Sequence, residues 1–365
     1  MVPAAVDEEA GACPSTLSLL MERESPLVLR EAAKLWGSQP FLQNHAVDCL
    51  KTTWRVHPLG SSTVWEADCH FLEASVGQFL EWERSTEPLS SEEGNPFAKY
   101  DRKTHWVYAD YKHVEELEDD WAKALEPIID WSTLGCDKAA TDSTVWLGTE
   151  GSHTPLHFDT YGVNLVAQLH GSKKWVLFPP ADTASLSATR VPYEESSVFS
   201  RVDARRPDLG RFPQFAEAHP LVATLEPGDV LFVPNHWWHF VEAVETSLSV
   251  NVWLKAPGDP ENRCSESVAR VLMTSLAGGL DAEVGSGWLN PTEDGVWPLA
   301  ETLAVARLAF EELDPDPGEQ VDDDHGDARA RASSSFSVRA MVDAMTAPDV
   351  LKMVVERIAQ KRRQG

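Results

Sequence analysis

The sequence predicts an α+β protein with a mainly β core, a barrel or jelly roll, and flanking N- and C-terminal helices. Three observations carry that expectation. Short segments alternating apolar and polar residues recur from Ser25 to Ala256 between Gly and Pro turns, the pattern of a closed or sandwiched sheet. From about residue 258 the apolar residues fall instead at helical spacing, in CSESVARVLMTSLA and LAETLAVARLAFEEL. A chain of 365 residues, 42% hydrophobic and with 14 Trp, is long and apolar enough to bury a substantial core.

Residues 1–24 are acidic and interrupted by Pro3 and Pro14, which predicts a mostly disordered lead with one short helix near Leu17 to Glu22. The β domain is expected to run from Ser25-Pro26 to residue 257. In SPLVLREAAKLWGSQP a short strand precedes a helix stopped by Gly37 and Pro40. KTTWRVHPLGSSTVW alternates as an edge strand and turn, ASVGQFLEWERS has helical spacing, and STEPLSSEEGNPF reads as a loop. HWVYADY is a strand with Trp106, Tyr108 and Asp110 on one face, followed by a helix in YKHVEELEDDWAKAL. STVWLGTEG gives another strand, TPLHFDTYGVNLVAQL a central one broken at Gly162, and GSKKWVLFPP a hairpin return stopped by two prolines. Residues 181–220 form a proline-punctuated insertion of the kind that carries substrate loops. Three strands follow, in LEPGDVLFVP, WWHFVEAV and SLSVNVWLKA. The region 258–365 is expected to be helical, with an acidic low-complexity linker at about 314–334 and one or two final helices in SVRAMVDAMTAPDVLKMVVERIAQK.

Charge narrows the partners. With 31 Lys plus Arg against 58 Asp plus Glu the net charge is -27, which argues against a phosphate backbone as ligand. No window approaches the roughly 20 consecutive apolar residues of a membrane span, and MVPAAVDEEAGAC lacks the apolar stretch of a signal peptide. The 5 Cys are odd in number and scattered, so neither a disulfide framework nor structural zinc is expected. A reducing intracellular setting follows, cytoplasmic with a nuclear alternative.

The chemistry concentrates in TPLHFDTYGVNLVAQLHGSK. In a strand, His157 and Asp159 point to one side, and a neutral imidazole with a carboxylate makes two thirds of the facial triad that holds non-haem Fe(II). A His-x-Asp pair also occurs by chance, but here Thr154, Asn164 and Lys173 accompany it, and an ammonium with a hydroxyl suits the far carboxylate of a bound diacid. The third ligand could be His236 or His239; His239, inside a strand, is preferred. His153, His170 and His219 read as loop or surface histidines. Lys173 shares a face with Trp175 and Leu177, Lys174 with Val176 and Phe178, and spacing does not choose between them. Ser247, Ser249, Asn251 and Trp253 share one face, either lining a polar cavity or facing solvent.

The runs TPLHFDTYGVNLVAQLHGSKKWVLFPP, LEPGDVLFVPNHWWHFVEAV and SLSVNVW resemble the JmjC family of Fe(II)- and 2-oxoglutarate-dependent oxygenases, nearest to its factor-inhibiting-HIF-type protein hydroxylases. The resemblance covers residues 25 to 257 and implies a double-stranded β-helix. It implies His157, Asp159 and His239 as iron ligands, and Lys173 with Thr154 as partners of the distal carboxylate of 2-oxoglutarate. It further implies Tyr108 as a donor to that carboxylate, Asn164 and Asn251 as polar pocket residues, and Trp253 as an aromatic lining. The spacing from Asp159 to Asn164 is one residue longer than in the factor-inhibiting-HIF pattern, which leaves the role of Asn164 open.

The implied reaction uses Fe(II), 2-oxoglutarate and O2, releases succinate and CO2, and oxidises a C–H bond, with a protein side chain preferred as substrate over a methylated histone tail or RNA. Members that associate with small heat-shock proteins suggest such a partner, and with it the alternative of a catalytically weak or inactive binding module. A cupin using another divalent ion without oxidation is a third reading. The C-terminal helices are expected to support a homodimer.

Overall fold

The computed structural model describes residues 3–11, 13, 15–36, 41–43, 47–60, 65, 68–87, 89, 94–190, 197–277, 297–313 and 338–364. The chain divides into two compact units, one running through Ala256 and the other beginning at Pro257. Strands of the first unit, in chain order, are β1 (Ala4–Ala5), β2 (Asp7–Ala10), β3 (Leu27–Arg30), β4 (Lys51–Pro58), β5 (His70–Ser75), β6 (His105–His113), β7 (Thr144–Gly148) and β8 (His153–Asp159). They continue with β9 (Val163–His170), β10 (Lys173–Phe178), β11 (Ala188–Thr189), β12 (Ser197–Ser200), β13 (Leu221–Leu225), β14 (Val230–Val233), β15 (Trp238–Ala243) and β16 (Ser247–Leu254).

These strands form two sheets. One has the order β1-β13-β10-β15-β8-β12-β11 and the other β2-β3-β14-β9-β16-β7-β6-β4-β5. Consecutive strands repeatedly fall in opposite sheets, as with β8 and β9, β9 and β10, or β15 and β16, which is how a jelly roll winds. Alternation supplies each sheet with an apolar inner face. Val28, Val166, Leu231 and Val233 of the larger sheet pack with Trp175, Leu177, Ala223, Leu225 and Val241 of the smaller one to fill one end of the sandwich. Fully burying such a side chain stabilises by about 1.5–3 kcal/mol. The outer faces are covered too: Trp54, Phe79 and Phe97 pack on the large sheet, and Leu156, Phe178, Trp238 and Phe240 lie behind the small one.

Several local expectations are corrected. Residues 1–24 are not a disordered lead: β1 pairs with β13, β2 pairs with β3, and Val6 between them is buried in the sandwich, so the β domain extends to the N-terminal side of Ser25. A helix does form there, at Thr16–Leu20. After Leu27–Arg30 the chain makes turns through residues 31–36 instead of a helix, with Glu31 at φ 57° and its N–H donated to Asp229 Oδ1 at 3.1 Å. The helix expected in YKHVEELEDDWAKAL shortens to Asp119–Leu125, because β6 continues to His113. The 181–220 insertion is not all loop, since β12 pairs with β8 beside His157.

In the second unit Asp259–Ala277, Leu299–Leu313, Val338–Met345 and Pro348–Gln364 are helical, and Val271 packs with Ala306, Leu303 and Phe310. The acidic segment at 314–334 lies outside the described residues. No described helix is long and apolar enough to cross a membrane.

The β9–β10 turn sets the position of Lys173. Gly171 has φ 57°, and an added Cβ would run into the Thr246 carbonyl oxygen. Gln168 Nε2 donates to the carbonyls of His170 and Gly171 at 2.8 and 2.9 Å and holds the turn closed. Gly171→Ala is therefore expected to destabilise the domain by at least ~2 kcal/mol in denaturant unfolding; an unchanged midpoint would show that the turn relaxes freely.

Candidate metal centre and its cavity

Beside the apolar fill, and sharing Val166, Trp175 and Val241 with it, the inner faces turn polar and line an open cavity of about 420 Å³. The small sheet contributes Thr154, His157 and Asp159 from β8, Lys173 and Trp175 from β10, and His239 from β15. Tyr108, Tyr111, Trp146, Asn164, Ser249, Asn251 and Trp253 face them from the large sheet. All nine residues singled out from the sequence thus line one cavity.

Strand register brings the histidines together. β15 pairs antiparallel with β8, and His239 lies directly opposite His157 with ring centroids 4.1 Å apart. Asp159, two residues on, shares their face. One ligand atom from each of the three lies within 4.8 Å of the others. Both imidazoles are oriented from behind: His157 Nδ1 bonds to Pro155 O at 2.8 Å and His239 Nδ1 to Trp237 O at 3.0 Å. A carbonyl can only accept, so Nδ1 carries the proton in each and Nε2 keeps its lone pair. His157 Nε2 stands 3.8 Å from Asp159 Oδ1. The other Asp159 oxygen accepts from Trp253 Nε1 at 2.9 Å. Burial, reinforced by His239, pushes the His157 pKa well below its ordinary value and keeps the ring neutral, the form a metal takes. Two imidazoles, each with its Nε2 turned from its own carbonyl bond, and a carboxylate on one wall are a donor set that would suit a divalent ion.

Alternation alone does not place Thr154 beside His157. Between the His239–His157 and Val241–Thr154 pairs β8 carries one extra residue, a bulge at Pro155–Leu156, and this turns Thr154 onto the cavity face. Proline has no N–H to lose from the ladder, so it tolerates the bulge. A second irregularity between Ala109 and Lys112 of β6 lets Tyr111, at φ 51°, join Tyr108 on the cavity side. Trp106, Tyr108 and Asp110 nonetheless keep the single face that HWVYADY suggested, since all three meet the Arg55 side chain.

Lys173 is 2% exposed while Lys174 is exposed, which settles what spacing left open. Its Nζ crosses the sandwich to Ser249 Oγ at 2.8 Å and sits 5.3 Å from the Tyr108 ring centroid. No carboxylate among the described residues forms an ion pair with it, and burial pushes its pKa down to about 7, opposed by Asp110. Asp110 is itself held by Arg55, whose Nε donates to Oδ1 at 3.0 Å while Nη2 bonds to Oδ2, both residues being buried. Beside Lys173, the Tyr108 hydroxyl is hydrogen-bonded with Thr154, and burial raises its pKa. A relay fixes the amides: Trp146 Nε1 donates to Asn251 Oδ1 at 2.7 Å, and Asn251 Nδ2 to Asn164 Oδ1 at 2.9 Å. The row Ser247, Ser249, Asn251 is therefore buried and faces inward.

The sequence reading did not single out Tyr111 or Trp146. Trp146 was accessible, since Thr144, Trp146 and Gly148 alternate against core residues Val145 and Leu147; Tyr111 was not, since only the bulge aims it inward. Trp253 lines the cavity as expected, whereas Trp237 lies in the apolar fill and Trp238 behind the small sheet. His236 bonds to Thr160 O at 2.8 Å and does not line the cavity. His219 remains on the surface, its side chain 80% exposed. His153 is not a surface residue: it is 1% exposed, between Trp106 and Phe240 at ring distances of 5.4 and 5.9 Å.

Similarity to known proteins points the same way. A cupin-like domain model matches residues 15–259. The chain is 40% identical to the HSPB1-associated protein 1 homolog of Danio rerio over 293 residues, 78% of this chain and 64% of that protein. It is 43% identical to HSPB1-associated protein 1 of Homo sapiens over 282 residues, 75% of this chain and 57% of that one. Lysine-specific demethylase 8 of Xenopus tropicalis is 34% identical over 148 residues, 39% of this chain and 31% of the relative. The chain spans less than two thirds of the length of all three.

Burial pushes His153 down to about 4. Its folded pKa is depressed, so the unfolded chain binds the extra proton first, and stability present above about 6.5 is lost as pH falls toward 4. Denaturant unfolding of the metal-free protein should show this acid limb. His153→Phe should flatten it by up to about 1.4 kcal/mol per pH unit, and an unaltered slope would remove His153 as its source.

Proposed function

Because the chain belongs to the cupin-like domain family, with JmjC-type relatives, we propose that it is an Fe(II)- and 2-oxoglutarate-dependent oxygenase that hydroxylates a protein side chain. The observation that carries this reading is the coincidence, in one cavity, of a two-histidine-one-carboxylate group with a buried lysine that has no carboxylate ion-pair partner among the described residues. The first suits a divalent iron and the second a diacid.

With Fe(II) and 2-oxoglutarate bound, the centre supplies oxidative decarboxylation to succinate and CO2 coupled to oxidation of a C–H bond by O2. The protein's contribution is placement. His157, Asp159 and His239 hold the ion, and the carbonyls of Pro155 and Trp237 with the Trp253 indole hold those ligands. Lys173 takes the distal carboxylate, its cost of burial offset when that charge arrives, and the Tyr108–Thr154 hydroxyl pair stands beside it. Asn164 and Asn251, locked by Trp146, present a fixed polar wall. Asp159, Tyr111, Trp146 and Trp253 are only half-buried and mark the side from which a substrate side chain enters.

A second reading follows from the names of the relatives. HSPB1-associated proteins suggest a small heat-shock protein as partner, and the domain would then act as a binding module in which metal and acid hold the fold without turnover.

Anaerobic titration of Fe(II) and 2-oxoglutarate, then succinate release on admitting air, separates these. Wild type is expected to bind both and form succinate. His157→Ala, which removes one of three ligands, should lose metal affinity by more than about tenfold and form none. Binding without succinate, with a small heat-shock protein present, would favour the module; absence of binding would sink both readings.

The acid needs Lys173 protonated, and that lysine titrates at about 7 before an anion arrives. Affinity for 2-oxoglutarate should therefore fall as pH rises above about 7, by up to about tenfold per unit, with Lys173→Met weaker throughout and flat over the same range. A wild-type affinity constant to pH 9 would show that Lys173 stays charged on its own.

A further inference from the structure

Among the described residues, buried side-chain nitrogen and oxygen atoms without a hydrogen-bond partner include those at Ser152, His153, Thr160, Trp175 and Ser247. Only Trp175 among these lines the cavity. Its indole is 5% exposed and stacks on the His239 ring, centroids 5.7 Å apart and planes 28° apart. An indole Nε1–H can only donate, and leaving one buried and unused is costly.

Its neighbours show what it lacks. Trp175 is two residues from Lys173 on the same face of β10, so it occupies the wall between the lysine and the metal ligands. Elsewhere in the cavity lining Asp159 accepts from Trp253, Asn164 from Asn251 and Ser249 from Lys173, and none of them accepts from Trp175. Along one strand of the cavity wall stand a lysine without an ion-pair partner and, two residues on, an indole N–H without an acceptor. Both deficits are met by a group that carries negative charge and several acceptor lone pairs.

We propose that Trp175 is a ligand-binding residue whose indole N–H donates to a carboxylate oxygen of the acid that Lys173 holds. This rests on the oxygenase reading and adds a contact to it. Trp175 then has two tasks, stacking on His239 and reading the acid, and only the second needs the nitrogen. Phenylalanine keeps the ring and removes the donor.

The test uses the whole chain loaded with Zn(II), a diamagnetic stand-in for Fe(II), with indole nitrogens labelled with 15N. One resonance, assigned by its loss in Trp175→Phe, is expected to move downfield when 2-oxoglutarate is added and not when Zn(II) is added alone. By calorimetry Trp175→Phe should bind 2-oxoglutarate about tenfold more weakly than wild type while its Zn(II) affinity is unchanged. Equal affinity for the acid in both proteins overturns the inference, as does a Trp175 resonance that responds to metal but not to acid. If Trp175→Phe fails to fold, the same resonance is assigned in the wild type by its contact with the His239 ring. Wild type that binds no 2-oxoglutarate at all would instead remove the oxygenase reading beneath it.

Discussion

The site depends on one register, the antiparallel pairing that sets His239 of β15 opposite His157 of β8. Backbone hydrogen bonds fix that pairing at residues 82 positions apart, and the side chains have little freedom left once their Nδ1 atoms are tied to the carbonyls two residues before them. A slip of one residue would turn both rings to the outer face, among Leu156, Phe158 and Trp238. Precision at the centre is thus a property of two strands in a sheet, and the half-buried rim residues can vary without disturbing it.

A polar cavity inside a sandwich is costly unless its groups are satisfied. Here the polar side chains form short closed circuits: Trp146 to Asn251 to Asn164, Trp253 to Asp159, Arg55 to Asp110. The Arg55–Asp110 pair is fully buried beneath Tyr108, where the guanidinium carbon lies 5.6 Å from the ring centroid. Asp110 reaches Lys173 as a stabilising charge although it forms no ion pair with it. The charge balance beneath the cavity is therefore built from residues that never touch a ligand.

What could be read from the sequence follows from strand periodicity. His157 with Asp159, Lys173 with Trp175, and Ser249 with Asn251 and Trp253 share faces because side chains alternate, and the structure keeps each group together. What periodicity could not give lies where it is broken. Thr154 shares the cavity with His157 only through the bulge at Pro155, and Tyr111 with Tyr108 only through the one before Lys112. His153 went unrecognised for the same reason, since the bulge turns it to the outer side of the small sheet, where it is buried. The acidic N-terminal segment was misread because composition does not disclose a partner strand more than 200 residues away.

That segment leaves the domain with an unusual order of assembly. Ala4 and Ala5 lie at the edge of one sheet against β13, Asp7–Ala10 extend the other against β3, and Val6 passes between the layers. The residues that clasp the two sheets together leave the ribosome well before their neighbour, since Leu221 emerges 217 residues after Ala4. At translation rates of about 5–20 residues per second, the strand must wait about ten to forty seconds for its neighbour. Asp7, Glu8 and Glu9 of the adjoining β2 give that waiting segment a charge that discourages pairing with other nascent chains.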